Sequence, residues 1–145
     1  MRFDIENQLS VAQAFTGAAT VSTNSYQKQS AAQDISIGRR MALLVLPTVA
    51  QGAGSTLTVE VIQADDAALT SNVEVLSTVT AIAANMTLGD QLEAPIPQGV
   101  MTKQYLGARL TLATGTTTIT CDIYLVPQDE IAHYKSFTKI NDAAV

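Results

Sequence analysis

Between Lys103 and Pro127 the chain reads KQYLGARLTLATGTTTITCDIYLVP, and both arms of this stretch alternate in polarity. Leu106, Ala108, Leu110 and Leu112 alternate with Tyr105, Gly107, Arg109 and Thr111; Ile119, Cys121, Ile123 and Leu125 alternate with Thr118, Thr120, Asp122 and Tyr124. A period of two specifies strand. The short link Thr114-Gly115-Thr116-Thr117 predicts an antiparallel hairpin in which Ala113 pairs with Thr118. That register sets Leu112 across from Ile119, Leu110 from Cys121, Ala108 from Ile123 and Leu106 from Leu125. On the other face it sets Thr111 against Thr120, Arg109 against Asp122, and Gly107 under the ring of Tyr124. A slip of one residue would place polar side chains among apolar ones, so the pattern selects one pairing.

The remaining segments fit the same period. Val11 to Phe15 and Thr20 to Gln27 read as short strands, and Asp34-Ile35-Ser36-Ile37-Gly38 as a bend. Met41 to Val49, MALLVLPTV, is a nearly continuous apolar run, which predicts a strand covered on both faces with Pro47 near its end. Leu57, Val59 and Val61 alternate in another strand after the Gly52-Ala53-Gly54-Ser55 turn. Val73 to Thr80 and Gln91 to Ile96 supply two more, and Ala81 to Leu88 admits one helical turn before Gly89. Seven or eight short strands without a long amphipathic helix specify an all-β sandwich or barrel. The 145 residues suit a single domain spanning 1–145, which buries roughly 70% of its unfolded surface. With 47% hydrophobic residues but 5% aromatic and no Trp, its core is built from aliphatic side chains.

Two segments stand outside the pattern. Met1 to Ser10 reads as an N-terminal arm with Phe3, Ile5 and Leu9 as its apolar anchors. From Gln128 to Val145 a C-terminal arm begins where Asp129 can cap a short helix, and Ile131, Tyr134, Phe137 and Ile140 recur every third residue. Such an arm docks either on its own sandwich or on a partner.

No chemistry assembles from the sequence. The one histidine, His133, lies in the C-terminal arm among apolar residues, without the oriented base that nucleophilic catalysis needs. Asp65-Asp66 and Asp129-Glu130 are adjacent carboxylates, fewer than a hard cation requires. No HExxH, paired CxxC, Walker loop or GxGxxG is present. Cys121, the only cysteine, falls on an inward position and reads as a buried structural thiol. The net charge of −5 and the scattered Lys and Arg offer no footprint for a nucleic acid, and no stretch is long and apolar enough to cross a bilayer as a helix. The expectation is a structural or binding module: no enzyme, cofactor or metal, no nucleic-acid partner and no membrane.

Several patterns, met in order, carry a resemblance. MRFDIENQLSVAQAFTGAATVSTNSY opens the chain, followed by Asp34-Ile35 and Gly38, Gln63-Ala64-Asp65-Asp66, PIPQG at Pro95 to Gly99, and Gln104-Tyr105-Leu106-Gly107-Ala108-Arg109-Leu110. Over nearly its whole length the chain resembles the small jelly-roll cement, or decoration, proteins of tailed bacteriophage capsids. Gln104 stands where that family suggests Arg, and the segment beyond Val126 is longer than the family core.

The resemblance implies an antiparallel jelly-roll β-sandwich of about eight strands with short N- and C-terminal arms. It implies a protein made in the host bacterial cytoplasm that sits on the outside of the icosahedral shell, bridging major capsid proteins as a homo-oligomer, dimer or trimer, and stabilising the expanded lattice. Partner contacts are then expected from the apolar groups of the two arms: Phe3, Ile5, Leu9, Ile131, Tyr134 and Phe137. A glycan-binding or host-adhesion module on the virion surface is the alternative, with the lack of Trp counting against it.

Overall fold

The two alternating arms of the 103–127 stretch do form strands, but they lie in different sheets. The computed structural model describes residues 7–17, 19–49, 56–82, 90–113 and 118–131. Its strands are β1 (Gln8–Phe15), β2 (Thr20–Val21), β3 (Tyr26–Gln27), β4 (Met41–Pro47), β5 (Thr56–Ala64), β6 (Glu74–Ile82), β7 (Leu92–Pro95), β8 (Tyr105–Ala113) and β9 (Ile119–Pro127). One sheet has the order β1-β9-β4-β7, the other β2-β8-β5-β6, with β3 also on β8. Every pairing is antiparallel. Thr20 and Val21 lie opposite Leu110 and Arg109, while Tyr26 and Gln27 lie opposite Leu106 and Tyr105, so β2 and β3 are two pieces of one interrupted edge strand. Counted as one, they leave eight strands in two facing sheets, the strand order of a jelly roll.

The hairpin expectation is therefore corrected. Leu106, Ala108, Leu110 and Leu112 belong to the same buried cluster as Ile119, Cys121, Ile123 and Leu125, but they meet across the sandwich rather than side by side. Alternation fixes which face of a strand is buried and says nothing about whether its apolar partner lies beside it or opposite it. Between residues 113 and 118 the chain changes sheets. The polar pairs expected on the outer face dissolve accordingly. Arg109 lies opposite Glu60 of β5, and its Nε donates to the carboxylate at 2.6 Å. Asp122 accepts the Ala12 N–H of β1 at 2.6 Å. Gly107 sits under Leu69, not Tyr124: a Cβ added there would collide with the Leu69 side chain.

β4 behaves as its continuous apolar run predicts. It lies between β9 and β7, and Pro47 is its last residue. Leu43 and Val45 face the central core, whereas Ala42 and Leu44 face outward and are covered by Val126 and Ile131, with Leu46 and Tyr124 packed alongside. The helical turn at 128–131 thus roofs the outer face of its own sheet. The bend at 34–38 is present, and the strands expected from Val73 and from Gln91 appear as β6 and β7. The helical turn expected at Ala81 to Leu88 begins instead as the end of β6, and 83–89 lie outside the described residues.

Candidate functional site: the loop end of the sandwich

The start of β4 pairs with the ends of β7 and β9, and the end of β5 pairs with the starts of β6 and β8. Gln104 accepts the Lys28 N–H at the same end. Topology therefore gathers three connections, 28–40, 65–73 and 96–104, with the turn at 128–131, at one end of the sandwich. Among the described residues this end carries most of the side-chain hydrogen bonding that joins one connection to another.

Asp34 makes the first joint. Its Oδ1 accepts the Ser36 N–H at 2.9 Å and the Ser36 hydroxyl at 2.6 Å, and its Oδ2 accepts the Gly99 N–H at 2.5 Å. Gln98 Nε2 returns a bond to the Ser36 carbonyl at 2.6 Å. Desolvation pushes the Asp34 carboxyl upward, but these donors and the nearby Lys28 outweigh it and hold the group below the usual carboxylate range. Lys28, nearly fully enclosed, donates to the Ala31 carbonyl, and burial lowers its pKa against the pull of Asp34.

Gln63 makes the second joint. Buried at the end of β5, its Oε1 accepts the N–H groups of Thr102 and Lys103, and its Nε2 donates to Glu74 and Thr102. Asp66 folds the third connection on itself, accepting the N–H groups of Thr70 and Ser71 and the Thr70 hydroxyl. Asp65 engages Asn72 at 2.7 Å and Lys103 at 3.5 Å. Asp66 is thereby committed to its own loop, whereas Asp65 joins that loop to Lys103 of the 96–104 connection.

The last joint ties the C-terminal turn down. Arg39 Nη2 lies 3.2 Å from Asp129 and 2.9 Å from Glu130, and the Gln128 N–H donates to the Arg40 carbonyl. Asp129 lies within the helical turn, which begins at 128, rather than capping it from outside. Beside this joint run two adjoining grooves of about 300 and 390 Å³, both lined by Arg40 and Gln128. Exposed apolar side chains crown the same end. Ile37 is 68% and Val100 42% exposed, and each adjoins a glycine of positive φ, Gly38 and Gly99.

Among the described residues no group of three or more His, Cys, Asp and Glu is placed to hold a metal ion. The Cys121 thiol is pushed up to about 12, by burial first and by Asp122 second, and it lies in the core away from these loops. Among the described residues no helix is long and apolar enough to cross a membrane.

The expected contact residues are distributed differently. Leu9 does not belong to an arm: β1 begins at Gln8, and Leu9 is 1% exposed in the central core. Ile131 is 1% exposed against Ala42, Leu44 and Val126. Each of these side chains closes apolar surface of its own sandwich. Phe3, Ile5, Tyr134 and Phe137 lie outside the described residues, as does His133. Ile37 and Val100 are not among the apolar groups that stand outside the strand pattern in the sequence. Their signal in the sequence is an aliphatic residue abutting a turn glycine.

Two parts of the opening stretch of the resemblance, Leu9 to Ala14 and Ser22 to Asn24, are two halves of one contact. Gln13 Nε2 donates to the Val21 carbonyl at 2.8 Å, and its Oε1 accepts the N–H and hydroxyl of Thr23, both at 2.9 Å. The Asn24 N–H donates to the Leu9 carbonyl. These bonds lace the β1 edge of one sheet to the β2–β3 edge of the other.

Fold and site together define a jelly-roll β-sandwich with an internally braced loop end and no assembled reaction centre among the described residues. The family model Bbp16 matches residues 9–121, and the chain belongs to the Bbp16 family. A search of the curated proteins returns no match. Among solved structures, one titled "Crystal structure of PirA" aligns with a TM-score of 0.45 at 11% identity, covering 79% of this chain and 92% of that one. A likeness that distant carries no argument about function.

Proposed function

We propose that this chain is a structural virion protein, a cement bound to the outside of an icosahedral phage capsid, where it bridges major capsid proteins and stabilises the expanded shell. One observation carries the reading. The patterns shared with jelly-roll cement proteins are scattered along the sequence, yet in the fold they become the joints that brace its loops and edges: Gln13 with Thr23, Asp34 with Gly99, Gln63 with Thr102. A chain whose signature residues are spent on bracing is suited to carrying load rather than to turnover. Membership of the Bbp16 family and the jelly-roll strand order agree with this.

The contact surface we assign is the braced loop end, with Ile37 and Val100 as its exposed apolar groups, alongside Phe3, Ile5, Tyr134 and Phe137 of the terminal segments. Rigid apolar groups on a pre-organised surface lose little entropy on docking. Reconstitution with expanded shells tests it. The unmodified chain is expected at a copy number matching the major capsid protein, and Ile37→Asp with Val100→Asp is expected to lower occupancy at least tenfold. A handful of copies per virion, or full occupancy after that double substitution and removal of both terminal segments, would overturn the proposal. Selective retention on a glycan array instead would favour the adhesion reading.

A further inference from the structure

Among the joints at the loop end, the one that holds the C-terminal turn is built differently. Asp34 and Gln63 grip backbone N–H groups of a neighbouring connection. The turn at 128–131 is instead held by two ion pairs from Arg39 and by one backbone bond, from the Gln128 N–H to the Arg40 carbonyl. The side chains of Arg39, Asp129 and Glu130 are 55%, 65% and 40% exposed. Ion pairs as open as these are weak and are screened by salt.

What the turn covers is large beside what holds it. Ile131 is the one buried residue of the turn, and beneath it Ala42 and Leu44 of β4 and Val126 of β9 are buried on the outer face of their sheet. The pairing of β9 with β4 is complete without the turn, since its last pair is Pro127 with Met41. The turn meets residues 38–40 across the groove of about 390 Å³ lined by Gly38, Arg39, Arg40, Gln128 and Asp129, so this seam is not close-packed. Lifting the turn about Pro127 therefore breaks no strand pair. It parts one backbone hydrogen bond, two exposed ion pairs and the contacts of one isoleucine.

We infer that the turn at 128–131 is a hinged cover, clasped by Arg39, which opens over the outer face of the β1-β9-β4-β7 sheet while both sheets stay folded. Closed, it hides the apolar strip of Ala42, Leu44 and Val126; open, it presents that strip to solvent. Elements held by few buried contacts open locally, at a free energy well below that of global unfolding. The clasp sets the balance between the two forms. Mobile ions, or any other carboxylate that competes for Arg39, shift it towards the open one.

The core thiol supplies an internal reference, because Cys121 is buried between the sheets and reacts only when they part. Val126→Cys, a swap of similar volume, places a second thiol beneath the cover, and Leu44→Cys places an independent one on β4. Native-state labelling with uncharged iodoacetamide, read site by site by mass spectrometry, compares them. Both introduced thiols are expected to react at least about tenfold faster than Cys121. Urea below the unfolding transition should barely change their rates, because opening the cover exposes little surface, whereas labelling of Cys121 should climb steeply.

The clasp is tested in the Val126→Cys chain. Arg39→Glu is expected to speed labelling at 126 about three- to tenfold. Adding Asp129→Arg with Glu130→Arg reverses both ends of the clasp and is expected to return the rate to its starting value, which a general loss of packing could not do. Raising sodium chloride to about 1 M should speed labelling while Arg39 is in place and should not do so in the Arg39→Glu chain. Introduced thiols that react like free cysteine, or that track Cys121 in both rate and urea dependence, would overturn the proposal. So would a rate at 126 that ignores Arg39→Glu, a charge swap that fails to restore it, or a salt response that is the same with and without Arg39.

Discussion

Gly107 shows how a single residue is decided by what lies over it. Its position on the outer face of β8 was legible from the alternation, but its reason was not, because the side chain above it comes from the β5–β6 connection. Leu69, at φ 58° and 2% exposed, closes over that bare backbone. Gly107→Ala is expected to displace Leu69 and cost about 1–3 kcal/mol. Adding Leu69→Ala should then cost less than the sum of the two single changes, as a double-mutant cycle by urea unfolding would measure. Non-additivity of zero would mean that the two sites are independent. Asp34 supplies a pH signature at the same scale. Its carboxyl is held below the ordinary value of about 3.9, so ionised Asp34 contributes stability above that pH, and the contribution fades as pH falls through its folded value. The melting temperature of the native chain should therefore converge on that of Asp34→Asn as the pH is lowered from about 5 towards 2. A gap constant across this window would show that the carboxylate is not what braces the loops.

Among the elements, strand positions were more legible than strand partners. The arms at 105–113 and 119–127 were located by period two, and β4 was recognised as covered on both faces from its unbroken apolar run. Their pairing was misread because a four-residue link between strands of matching polarity fits both a hairpin and a crossing between facing sheets. Side-chain chemistry on the outer face, where Arg109 meets Glu60 and not Asp122, is settled by the neighbour within the sheet. The candidate site was less legible: Asp34, Gln63 and Gly99 fell within the patterns of the resemblance, but the contacts were expected from the two arms and not from the loops. That Gln13 and Thr23 touch is likewise a fact of tertiary structure. Gln13→Ala removes one donor and one shared acceptor from this lacing and is expected to cost about 1–3 kcal/mol. Gln13→Glu, which keeps the acceptor and loses the bond to Val21, should fall between. Equilibrium unfolding checks the order; a Glu variant no better than Ala would assign the stability to the Val21 bond alone.

At the scale of the molecule, one aliphatic core between two sheets and two smaller outer clusters, one under Ile131 and one formed by Ile62, Ala64 and Leu69, hold the buried apolar side chains among the described residues. The path of the ends has a mechanical consequence. Gln8 at the start of β1 lies opposite Tyr124 near the end of β9, so the two described ends of the chain leave the same sheet side by side. A force drawing these ends apart opens the β1–β9 ladder like a zip, one hydrogen-bonded pair at a time. A force pulling on β9 along its axis must shear it past β1 and β4 together. Optical-trap pulling should accordingly find low rupture forces between attachment points at Gln8 and Gln128. Far higher forces are expected between points at Thr118 and Gln128, which load β9 lengthwise. Attachments that drag both ends in one direction leave the zip closed and pass the strain into the sheet.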